Sequence, residues 1–151
     1  MKGILTLAVM IAVAIPGLAR AATMEDEVRA VFDKYIAAQN AHDLRTVQAL
    51  LVDSPDFLWI SRGKPVWGRD AALRSLEERY KGTWHIDFDR KEFRVISVSR
   101  RVAQVYAPTQ LTVGEPGAEP AKNRLYINLM MVKKPEGWRI TSILPILVPP
   151  Q

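Results

Sequence analysis

His85, Asp87 and Asp89 occupy every second position of WHIDFD. Residues two apart in a strand share a face. An imidazole and two carboxylates so placed could act as general acid and base on a carbonyl compound. The same alternation sets them opposite Trp84 and Ile86, so a charged edge washed by solvent explains them equally well. Asp89 keeps that outward parity unless a bulge turns it round. His85 and Asp89 are the candidate catalytic residues, and the direction they face decides between the two accounts.

Trp59, Trp67, Trp84 and Tyr106 lie in stretches with strand character. They could wall an apolar cavity or simply fill a core. Arg62, in the turn RGKP, could pair with an anionic ligand at a rim or be merely solvated. His42 belongs to a helix corner. Stronger signatures are missing: there is no G-x-S-x-G, no Walker-type loop, no H-E-x-x-H and no G-x-G-x-x-G after a strand. With no cysteine and 2 histidines, a tight transition-metal site would fall to carboxylates. No metal and no cofactor are expected.

The elements that must position these residues can be read from periodicity. Met24, Val28, Val31, Phe32, Tyr35 and Ile36 form one apolar stripe of a helix. Thr23 caps it, and Glu25, Asp26 and Glu27 sit where the helix dipole favours negative charge. The helix should stop around Asn40-Ala41-His42, with Asn supplying the left-handed residue. Asp43 caps a second helix carrying Leu44, Val47, Leu50 and Leu51, which Ser54-Pro55 ends. Phe57–Ser61 reads as a strand, Arg62–Pro65 as a turn, and Val66-Trp67 as the returning arm. Gly68 opens a third helix with Leu73, Leu76 and Tyr80 buried, a Glu77–Lys81 ion pair outside, and Gly82 at its end.

The remainder is strand. Trp84, Ile86 and Phe88 alternate on even positions while Phe93 and Val95 continue on odd ones, so one long strand bent by a bulge is predicted. Val102–Val113 follows the turn Ser99–Arg101. GEPGAEPAK (Gly114–Lys122) is a loop, and Leu125–Lys133 and Trp138–Leu144 form a hairpin. The Leu125 strand is apolar on both parities and needs cover on both faces. Helices cover one; loops folding over the other would serve, and a homodimer docking sheet to sheet is the expectation favoured. The prolines of the 145–151 tail make it an edge or an extension.

The N-terminus has Lys2, the apolar run Ile4–Ile15, the break Pro16-Gly17 and Ala19-Arg20-Ala21. That order predicts a secretory signal peptide over 1–21, leaving 22–151 as one domain, periplasmic or secreted, with no membrane association after cleavage. The run is shorter than the roughly 20 residues that span a bilayer. The formal net charge of +5 falls when Lys2 and Arg20 leave with the leader. The remaining cations are interleaved with acids, so no nucleic-acid partner is expected.

Three helices followed by a strongly bent sheet make an α+β cone. YIAAQNAHDL, from Tyr35 to Leu44, resembles the first-helix corner of the nuclear transport factor 2-like (NTF2-like) superfamily, closest to its SnoaL-like and ketosteroid-isomerase-like branches. WGRDA (Trp67–Ala71) is similar to that family's entry to the third helix, and GWRI (Gly137–Ile140) to its closing strand. The resemblance implies a cone-shaped, cystatin-like fold with three N-terminal helices packed on a strongly bent mixed sheet. It also implies an apolar cavity, often in a dimer.

Steroid isomerases of that fold use a carboxylate base with a tyrosine and a protonated aspartate at the oxyanion. By the resemblance, Tyr35 falls on the position of the tyrosine and Asn128 near that of the acid. The base position lands on Trp59 or Ile60, neither of which accepts a proton. The resemblance therefore implies a pocket that holds a carbonyl or carboxylate through Tyr35 and Asn128. Read on their own, Tyr35 is equally a core tyrosine bonded to main chain, and Asn128 a strand amide serving a bulge.

Three functions stay open. One is a cup binding a small apolar molecule through Tyr35, Trp59, Trp67, Trp84, Tyr106 and Asn128. Another is an acid–base lyase or isomerase acting on an apolar carbonyl compound. The last is a non-catalytic dimeric assembly module.

Overall fold

A computed structural model describes residues 22–149. The signal segment expected over 1–21 lies outside the described residues. Helix α1 spans Met24–Asn40. Its first turn closes on a capping box: the Thr23 hydroxyl accepts from the Asp26 N–H, and the Asp26 carboxylate accepts from the Thr23 N–H at 2.9 Å. Val28, Phe32, Tyr35, Ile36 and Gln39 face inward. Glu27 ties the helix to the sheet, accepting from Lys133 Nζ and from Trp138 Nε1. Those two bonds hold its carboxyl below the usual range, the one from Lys133 contributing most.

The corner after α1 is built differently from the sequence expectation. Asn40 stays in the helix, and His42 takes the left-handed conformation, with φ 56°. The Asn40 amide is needed elsewhere: its Nδ2 donates to Ile86 O and its Oδ1 accepts from Ile86 N, at 2.9 and 2.7 Å. A side chain thus completes the edge of a strand. The His42 ring stacks on Tyr80, centroids 4.5 Å apart. Helix α2, Leu44–Leu50, is capped by Asp43, whose carboxylate accepts from the Thr46 N–H at 3.0 Å.

Strands β1 (Leu58–Ser61) and β2 (Lys64–Trp67) form a tight hairpin. Its two turn residues, Arg62 and Gly63, have φ 52° and 74°, the doubly left-handed turn that suits the twist of paired strands. Helix α3 spans Arg69–Arg79 and buries Ala72 and Leu76. It ends before Lys81, whose ammonium reaches Glu78 at 2.7 Å in place of the expected Glu77.

Strands β3 (Thr83–Phe88), β4 (Arg94–Ser99), β5 (Val102–Gly114), β6 (Ala121–Lys134) and β7 (Gly137–Leu147) complete the chain. The sheet order is β2-β1-β7-β6-β5-β3, with β4 also on β5. Only the β1–β7 pairing is parallel among the described strands. The single bulged strand expected between Trp84 and Val95 is instead two strands, β3 and β4, both paired with β5. Between them Asp89 Oδ1 accepts from the N–H groups of Lys91 and Glu92 at 2.8 and 3.3 Å. That local bond makes a turn where a bulge was inferred. Register shifts lie at Ser97/Ser99 and Met130/Met131. Pro145 sits beyond the last β1–β7 pair, where β7 is flanked by β6 alone.

All three helices lie on one face of the curved sheet, an α+β cone. Its narrow end is solid. Phe32 packs against Phe88 and Phe93 at centroid distances of 5.0 and 4.9 Å, beside fully buried Leu129, Met131, Trp138 and Ile140. One and two turns further along α1, at Tyr35 and Gln39, the filling changes.

Candidate functional site

A hollow of about 530 Å³ opens between α1, the β1–β2 turn, the end of α3 and the inner face of β3, β5, β6 and β7. Ile86, Leu111, Leu125, Ile127 and Ile143 supply an aliphatic wall. Trp59 and Trp84 add two rings set nearly perpendicular, 6.5 Å apart. Tyr35, Gln39, Ser61, Arg62, Arg79, Thr109 and Asn123 bring the polar atoms. Among the described residues, no Asp, Glu, His or Lys lines this hollow.

Gln39 organises the polar end. It is 1% exposed, and its Oε1 accepts from the Trp84 indole N–H at 3.0 Å and from the Tyr80 hydroxyl at 2.6 Å. An indole N–H can only donate, so it fixes which way the amide points. Gln39 Nε2 must then face Tyr35, and it donates to the Tyr35 hydroxyl oxygen at 2.6 Å. Tyr35 has no acceptor for its own proton among the described residues, and its side chain lines the hollow. A hydroxyl that accepts one hydrogen bond becomes a better donor in the next. Burial, followed by the neighbouring Tyr80, pushes the Tyr35 hydroxyl well above the ordinary phenol range. It stays a neutral donor at any physiological pH.

Arg79 closes the other side. Its Nη2 donates to Ser61 Oγ at 2.6 Å, and its guanidinium lies 5.3 and 5.8 Å from the ring centres of Trp59 and Trp84. Burial pulls its pKa down, with nearby Arg62 adding to the effect and Glu115 opposing it.

Of the residues singled out from sequence, Tyr35, Trp59, Ile60, Arg62 and Trp84 border this hollow. Trp67, Tyr106 and Asn128 do not, and the expectation that they line it is corrected. Trp67 pairs with Leu58 on the outward parity of the hairpin and is 58% exposed. Tyr106 and Asn128 face each other across β5 and β6 on the outer side of the sheet. Tyr106 packs there on Tyr126, ring centres 5.5 Å apart, and Asn128 Oδ1 accepts from Gln104 Nε2 at 3.3 Å. The error is one residue of register, because Ile127 and Leu129 point in and Asn128 must point out.

His85 and Asp89 are likewise displaced from the catalytic role considered for them. His85 pairs with Asp87 at 3.2 Å on the exposed edge, and Asp89 is spent on its own turn. Arg62 sits at the rim, 3.6 Å from Glu115.

Sequence reasoning missed Gln39, Ser61, Arg79 and Asn123. Gln39 lies four residues after Tyr35 and seven after Phe32, on the buried stripe of α1. Arg79 lies three after Leu76 and seven after Ala72, on the buried face of α3. A polar residue continuing an apolar stripe was the available signal.

A family model described as a SnoaL-like domain matches residues 28–144. The chain belongs to the SnoaL-like family. Solved structures share the fold of this SnoaL-like chain at low identity. One is a proposed dehydratase of the NTF2-like family from Streptomyces avermitilis, 19% identical over 83% of this chain and 97% of that one, with a TM-score of 0.71. Another is a ketosteroid isomerase-like protein from Erwinia carotovora atroseptica, 17% identical over 82% and 95%, with a TM-score of 0.67. An NTF2-like superfamily protein from Salmonella enterica serovar Typhimurium is 14% identical over 83% and 91%, with a TM-score of 0.71. No match was found among curated proteins.

Proposed function

We propose that this SnoaL-like protein binds a small, largely apolar, ring-bearing molecule in the hollow and holds one of its oxygens with the Tyr35 hydroxyl. Membership of the family points to ligand binding or to isomerase- or dehydratase-like chemistry. Binding is favoured over acid–base catalysis because, among the described residues, the lining carries no carboxylate or imidazole to move a proton. The observation that carries the reading is the fixed Gln39 amide, which leaves the Tyr35 proton without an acceptor beside the hollow. Pockets for small molecules commonly measure roughly 300–1,000 Å³ and combine apolar walls with a few convergent polar groups.

The test is calorimetric titration with a neutral probe, 2-acetonaphthone. Tyr35→Phe should weaken its binding about three- to tenfold, the worth of one neutral hydrogen bond. Unfolding free energy should fall by about 1–3 kcal/mol, since Gln39 Nε2 loses its acceptor, with the fold retained. Unchanged affinity would remove Tyr35 from the proposal.

The reading includes a homodimer. Tyr106, Tyr126, Asn128 and Leu144 share the sheet face opposite the helices, and Ile146 beside them is 56% exposed. Sedimentation equilibrium should give twice the chain mass, falling to one on Tyr126→Asp/Leu144→Asp, while a wild-type monomer would refute the pairing. Export with cleavage after Ala21 is also part of the reading. It rests on the Lys2–Ala21 pattern, and N-terminal sequencing of protein from the native host checks it.

A further inference from the structure

Arg69 and Arg79 stand at the two ends of α3, and their Nε atoms are the two buried side-chain polar atoms without a hydrogen-bond partner among the described residues. They differ in their counter-charges. The Arg69 guanidinium lies 3.0 Å from Asp53 and 3.6 Å from Asp70. Arg79 has no carboxylate within 4.0 Å among the described residues, and the nearby Glu115 is engaged with Arg62 at 3.6 Å. Of its five N–H donors, one is bonded, to Ser61.

Ser61 is 8% exposed and accepts that bond, so its own proton is also without an acceptor among the described residues. The guanidinium lies near two tryptophan rings, 5.3 and 5.8 Å from their centres, which favours a cation at that place before anything binds. A partly buried cation with no counter-charge is costly unless an anion arrives to pair with it.

We infer that the ligand of this hollow is a carboxylate: an apolar, ring-bearing acid whose two oxygens meet the Arg79 guanidinium and the Ser61 hydroxyl. The inference rests on the ligand-cup reading and adds the chemical class of the ligand. A guanidinium matches a carboxylate through parallel N–H···O bonds that an ammonium cannot reproduce. The aliphatic wall and the two indoles would take the rest of the molecule. Arg79 is then the residue that sets specificity.

The experiment compares 2-naphthoate with 2-acetonaphthone, which has the same rings and a neutral oxygen, by calorimetry at pH 7.5. Wild-type protein should prefer naphthoate about tenfold or more. Arg79→Met should abolish that preference through loss of naphthoate binding, and Arg79→Lys should restore only part of it. Equal affinities in the wild type, or a preference that survives Arg79→Met, would overturn the inference and leave the cup reading standing. Failure of both probes to bind would overturn the cup reading and the inference with it. Should Arg79→Met not fold, the wild-type ratio and Arg79→Lys decide.

Discussion

Gln39→Leu should lower the free energy of unfolding by about 2–4 kcal/mol, although leucine is as good a helix former and nearly the same size. The loss comes from what the amide leaves behind. Its Oε1 serves both the Trp84 indole N–H and the Tyr80 hydroxyl, and each donor left buried without an acceptor costs roughly 1–3 kcal/mol. Tyr80 can turn to water at its half-buried edge. Trp84 cannot, being 8% exposed. Urea denaturation measures the effect, and a double-mutant cycle assigns it. In a Trp84→Phe background the Gln39→Leu penalty should shrink by at least about 1 kcal/mol, because one stranded donor is already gone. A full-sized penalty in that background would place the cost in packing and remove Gln39 from the centre of the site.

The second large effect concerns the empty space. Leu125→Phe with Ile127→Phe narrows the hollow from its β6 wall, where both side chains point inward. In a packed core such enlargement strains rotamers and costs about 1–3 kcal/mol per site. Here the rings have somewhere to go, so stability should change by less than about 1 kcal/mol in either direction. Affinity for 2-acetonaphthone should fall by about tenfold. Retained binding with unchanged stability would mean that the probe sits elsewhere. A large destabilisation would mean that the space is not free to be filled.

The fold was legible because it is written in periodicities. The stripe of α1 and the β1–β2 turn each depend on a few neighbouring residues, whereas α2 ends at Leu50, ahead of the proline expected to stop it. The exceptions are instructive. Asn40 looked like a left-handed stop, but its amide bonds Ile86 across 46 positions of sequence, and no local rule anticipates such a partner. Asp89 looked like part of a strand because the parity change around it fits a bulge as well as a turn.

The site was legible only in part, for the same reason. Tyr35, Trp59 and Trp84 could be named, since a resemblance or an inward parity pointed to each. Asn128 was lost to a one-residue slip, which in a strand exchanges the two faces. Gln39 and Arg79 were passed over because they are polar residues on apolar stripes. There, reading by hydrophobic pattern treats them as noise, whereas burial makes them the groups with most at stake.

The four tryptophans supply the most direct test of the hollow as a binding site. Trp59 and Trp84 border it, Trp67 stands in solvent, and Trp138 is held by Glu27 at the solid end of the cone. A ¹H–¹⁵N spectrum of the indole groups, assigned by single Trp→Phe variants, follows all of them while 2-acetonaphthone is added. The account requires saturable shifts of the Trp59 and Trp84 signals, with those of Trp67 and Trp138 still. Shifts confined to Trp67, or four signals that never move, would contradict it.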